Sequence, residues 1–106
     1  MKQNPIPTPQ LGAALALVQL LTEYPQLPHA SWSVDQDSGS LHGHVHQASF
    51  GALGQFAGVL GGSVRPGRDF PLAGQVMRPH NLHTTWRDIP VSVTVVLPAP
   101  VAQVAA

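Results

Sequence analysis

Residues 41–46, LHGHVH, alternate strictly: Leu41, Gly43 and Val45 fall on one side of an extended chain and His42, His44 and His46 on the other. Just upstream, ASWSVD does the same, setting Ala30, Trp32 and Val34 opposite Ser31, Ser33 and Asp35. The polar DQDSGS between the two runs supplies turn residues, so the pair reads as a β-hairpin. A second alternating pair follows near the end of the chain. LHTTWRD sets Leu82, Thr84 and Trp86 against His83, Thr85 and Arg87, and PVSVTVVLP lines up Val91, Val93, Val95 and Leu97 on one face.

Two other stretches are spaced for helices. Thr8-Pro9 fits a helix start, because threonine caps free amides and proline is pre-set for the first helical position, and Tyr24-Pro25 fits a stop. Within 9–23 the expected core side is Leu11, Leu15, Val18 and Leu21 or Leu20. Phe50, Leu53, Phe56, Ala57 and Leu60 recur at helical spacing, and Gly61-Gly62 offers a left-handed end. Glycines within this helix weaken it, so packing must hold it. From 63 to 81 the pattern is poor: at most a short strand at 63–65, a loop through PGRDFPLAGQ and an extended piece at 75–78.

The element order is thus α-β-β-α-(β)-β-β, and its layered solution is an α+β domain: a mostly antiparallel sheet with two helices on one face. An arm (1–8), one domain (9–97) and a flexible tail (98–106) divide the chain. The halves echo each other in PHASWSVD…GSLHGHV and PHNLHTTWRD…PVSVTVV, which raises the prospect of a duplicated helix-plus-hairpin unit.

Composition changes the functional picture more than the fold. Only 9% of the 106 residues are charged, against roughly 25% in a typical soluble domain. Five basic and five acidic side chains cancel, which leaves no global field to draw in nucleic acid or an anionic membrane. Cysteine is absent, so disulfides and thiolate chemistry are excluded, and a cytoplasmic location is expected. The apolar run 11–21 is too short to span a bilayer, and prolines at 5, 7 and 9 argue against a secretory signal.

The phrases LPHASWSV, GSLHGHV and HTTWRDIPVSV resemble short uncharacterised proteins of actinobacteria, some carried by plasmids or phages. Four arginines to one lysine and abundant Ala, Gly, Pro and Val fit a high-GC genome. The resemblance covers about residues 26–97 and implies a source but no activity or site.

The histidines admit several chemistries. Residues two apart on a strand lie about 6.8 Å apart, so two rings can reach one ion while a third ligand must come from another strand. His44–His46–His83 or His42–His44–His83 is the set expected for zinc or nickel. A Ser-His-Asp arrangement can be drawn from Ser31 or Ser33, His42 or His44, and Asp35 or Asp37, but no GxSxG, phosphate loop or HExxH accompanies it, and the expectation is no catalytic residue and no enzyme. Arg65, Arg68, Arg78 and Arg87 offer a small phosphate-contact patch, the basis of a reading as a nucleic-acid-contacting accessory protein of a mobile element. The leading expectation is different. Ser31, Ser33, His42, His44, His46, His83, Thr85 and Arg87 form an outer face poor in charge, the composition of a contact centre, and imply a non-enzymatic module that forms homo-oligomers or binds another protein without a cofactor.

Overall fold

The computed structural model describes residues 9–46 and 49–100. The expected arm and the last six residues of the expected tail lie outside the described residues. Elements follow the order α1 (Pro9–Glu23), β1 (Ala30–Val34), β2 (Leu41–Val45), α2 (Phe50–Leu60), β3 (Ser63–Pro66), β4 (Phe70–Leu72), β5 (Gln75–Trp86) and β6 (Ile89–Pro98). The sheet runs β1-β2-β6-β5-β3, with β4 also paired to β5, and both helices cover the same side, so the protein has the α+β class that its patterning predicts.

Alternation sets the phase of every long strand. Leu41, Val45, Leu82, Val91, Val93 and Val95 are buried beneath the helices, while His42, His44 and His83 are exposed on the other side. Pairing within each hairpin is antiparallel, but β2 and β6 join the hairpins side by side and parallel, with Leu41 opposite Val91 and His44 opposite Thr94. A rotation that superposed one hairpin on the other in this order would turn the sheet over and put α2 on the far face. Both helices share one face, so the repeated phrases do not correspond to a two-fold in the fold.

The poorly patterned stretch is more ordered than its sequence predicts. β5 is continuous through Pro79, and β3 and β4 pair with successive parts of it. Proline is tolerated because N and O of one strand residue point the same way: the Pro79 carbonyl accepts from Gly67 N at 2.7 Å, so the missing donor faces the gap between β3 and β4 rather than the β6 ladder. Pairing also runs past Leu97, since Ala99 N donates to Val76 O at 2.9 Å, placing the start of the expected tail in the sheet.

α1 has the expected bounds and the opposite orientation. Ala13, Ala16 and Leu20 are buried, whereas Leu11, Leu15, Val18 and Leu21 are 49%, 55%, 60% and 49% exposed. Alanines let the helix lie close on the sheet, and the Trp86 indole donates to the Ala16 carbonyl at 3.0 Å, a bond available only from that side. α2 is capped by the Ser49 hydroxyl, which accepts from Ala52 N, and ends at Gly61 with φ 73°. Its Ala52, Leu53 and Phe56 are buried, but Phe50 is 55% exposed and lies over His80 with ring centroids 4.4 Å apart. Gly51, Gly54 and Gly58 face outward, and a methyl at Gly54 or Gly58 would meet no described atom within 4 Å. Each such glycine weakens the helix by about 1 kcal/mol relative to alanine.

Candidate functional site

Register places the outward side chains of five strands in two rows across the open face. One row reads Ser33, His42, Ser92, His83 and Ser63; the next reads Ser31, His44, Thr94, Asn81 and Arg65. Of these ten positions only Arg65 carries a permanent charge. The centre is cross-linked by short bonds: His42 Nδ1 and Ser92 Oγ lie 2.5 Å apart, and Thr94 Oγ1 donates to Asn81 Oδ1 at 2.6 Å. At the margin Ser31 Oγ and His46 Nε2 lie 2.9 Å apart. These contacts tie small side chains into a flat surface. It has a shallow depression of about 370 Å³ over Ser31, Ser33, His42, His44 and Thr94, and another of about 270 Å³ beside His83, Ser92 and Pro90.

The metal triads do not assemble. β6 stands between β2 and β5, so His83 meets Ser92 first and His42 only across it, about 10 Å away at Cα by the spacing of strands. His44 shares its row with Asn81 instead. Among the described residues no three His, Asp or Glu side chains gather as a donor set. Sequence spacing shows which residues share a face, but it cannot show which strand intervenes.

The drawn catalytic set separates in a different way. Ser31 is opposite His44 and Ser33 opposite His42, as a hairpin requires. Asp35, however, turns Oδ1 back onto the chain, where it accepts from Asp37 N at 2.8 Å and Ser38 N at 3.1 Å. The Ser38 and Asp37 amides hold this carboxyl below its ordinary value, with a small further pull from His42. That geometry makes Asp35 the keystone of the β1–β2 turn.

Arg87 leaves the outer face. It occupies the β5–β6 turn at φ 49°, donates to Gln19 Oε1 at 2.7 Å, pairs with Glu23, and lies 4.7 Å over the Trp86 ring. It therefore fastens the end of α1 to the turn, whereas Thr85 stays exposed on the sheet face as expected. Arg78 binds Asp69 through two bonds, 2.6 and 3.0 Å, which lower the Asp69 carboxyl. With Arg78 and Arg87 paired at different places, the four arginines do not form one phosphate-contact patch.

Two features escape the alternation pattern. Gly43 lies under the Trp32 ring, where a Cβ would come within 2.8 Å of it, and Trp32 in turn meets Phe56 edge-on at 6.0 Å. On the helix side, Leu20, Tyr24, Leu27, His29, Trp32 and Phe56 line an apolar pocket of about 330 Å³. Its walls come from three separate segments, so no local motif announces it. No described helix is long and apolar enough to cross a membrane. Comparison with protein-family models, with curated proteins and with solved structures finds no match.

Proposed function

We propose that this chain is a non-enzymatic protein-association module, and that its open sheet face packs against the uncharged surface of another protein. One observation carries the reading: the described residues leave five strands' width of sheet uncovered, with one charged side chain in ten central positions. Charge depletion marks the centre of a contact surface, and imidazole, hydroxyl and amide groups satisfy a partner's backbone without a desolvated charge. The residues that act are Ser31, Ser33, His42, His44, His83 and Thr94, with Thr85 and His46 at the rim. A cytoplasmic setting suits a chain without cysteine.

The likeness of its phrases to plasmid- and phage-borne actinobacterial proteins tells where a partner should be sought. Immobilised protein is challenged with extract of such a host and compared with Thr94→Lys, which sets a cation at the centre of the face. The expected result is one protein held in a saturable, near-stoichiometric complex by wild type, lost with Thr94→Lys and kept in EDTA. Equal capture by both proteins would defeat the reading. Loss in EDTA alone would move it to zinc or nickel held by His42 or His83 with a partner's ligands, and salt-labile capture of DNA would favour the accessory-protein reading.

A further inference from the structure

The helix layer has an outer side as unusual as the sheet's. In α1, Leu15 and Val18 stand opposite Ala13, Ala16 and Leu20, so this helix is apolar both toward the core and away from it. Leu21 widens the outer ridge, and Thr22 at its end donates its hydroxyl to the Val18 carbonyl at 2.7 Å, which leaves a methyl as its outward group. In the same layer α2 presents Gly51, Gly54 and Gly58 outward, with Phe50 at the edge. Of the 26 residues in the two helices only Glu23 is charged, and it is paired with Arg87. Helices that face water carry charge on that side.

We propose that this face is a dimerisation surface for a second copy of the chain, the α1 ridge of each copy lying on the glycine side of α2 in the other. Two features select the second copy. The surface has no charge to oppose itself, so a two-fold contact brings no like charges together. It also lacks the lysines and arginines that seat an interfacial helix on an anionic bilayer. The ridge and the glycine side complement each other in shape, because backbone without side chains admits close approach of another helix.

The area sets the strength. α1 is about 22 Å long and two helices side by side are about 20 Å wide, which gives roughly 400 Å² per copy in projection and more along the ridged surface. Pairing therefore removes on the order of 1,000 Å² from water, at the lower end for specific association, and the dimer is reversible. Back-to-back pairing leaves both sheet faces outward on opposite sides, so the dimer is a bivalent form of the module. The inference does not depend on the sheet-face reading, since Thr94→Lys lies on the other layer.

Sedimentation of the tag-free full chain over the micromolar range tests it, with Leu15→Glu and Gly54→Leu as variants. Neither position is enclosed by described atoms, and circular dichroism checks that each variant is folded. Wild type is expected to rise toward twice the 11.2 kDa monomer, while both folded variants stay at monomer mass. Wild type that remains monomeric throughout overturns the proposal, as does a dimer that survives in both variants. A monomer that binds phosphatidylglycerol vesicles and loses them with Leu15→Glu overturns it in favour of a membrane.

Discussion

Gly43 answers for the middle of LHGHVH, and Trp32 is its reason. The cross-strand pair places the indole where a side chain at 43 would stand, and a methyl there would sit 2.8–3.0 Å from ring atoms. Gly43→Ala is expected to cost about 1–3 kcal/mol by overpacking, and Trp32→Ala about 3 kcal/mol by the cavity it leaves. In the double variant the alanine methyl occupies vacated space, so the two losses should fall well short of additive in a denaturant-melting cycle; additive losses would mean that the ring does not sit over Gly43. Asp35 has an equally local role. Its carboxyl is held below its ordinary 3.8 by the Ser38 and Asp37 amides, so the folded value is lower than the unfolded one. The resulting stability is complete above the ordinary value and is lost as pH falls through the lowered one. Asp35→Asn keeps the turn geometry but cannot titrate, and should flatten the loss of melting temperature below about pH 4, leaving the part due to Asp69 beside Arg78. The Trp32 face was legible because alternation fixes which side a strand residue takes. That the indole rests on Gly43 was not, because hairpin register depends on how the turn closes.

Elements were legible where polarity changes with period and illegible where it does not. α2 spans the helically spaced Phe50 to Leu60 and ends where Gly61-Gly62 predicts, and the buried valines of β6 follow from strict alternation. α1 defeats the same reasoning, since a helix apolar on both sides has no polar face to set its rotation. Size decides instead: the small Ala13 and Ala16 approach the sheet and the larger Leu15 and Val18 turn away. Arg87 then locks the result from the β5–β6 turn through Gln19 and Glu23. Arg87→Ala should cost about 0.5–1 kcal/mol, a small sum because the pair is solvent-exposed, and should act locally. Amide exchange is the appropriate measurement. Faster exchange is expected at the last turn of α1, where Tyr24 N is bonded to Leu20 O, with little change in β2 or β6. A uniform increase across the sheet would show that Arg87 holds the whole fold rather than one helix end.

At the scale of the molecule, the two proposed contacts lie on opposite layers and are therefore separable by substitution. Strand order was the part of the candidate site that the sequence could not display, because periodicity assigns His42, His44 and His83 to one face without saying that β6 lies between them. Once placed, they share the open face with Arg65, while the residues of α1 and α2 include no histidine and one paired carboxylate. A cation at the centre of the sheet face, as in Thr94→Lys, would have to be desolvated by a partner packed there. The outer side of the helix layer is untouched by that change. In Thr94→Lys self-association is therefore expected to match wild type while capture of the sheet-face partner is lost, and Leu15→Glu should do the reverse, a monomer that still captures. EDTA should alter neither quantity. Parallel measurement of mass and capture for the two variants checks this: if both fall together in either, the two surfaces are not independent and the bivalent arrangement is wrong.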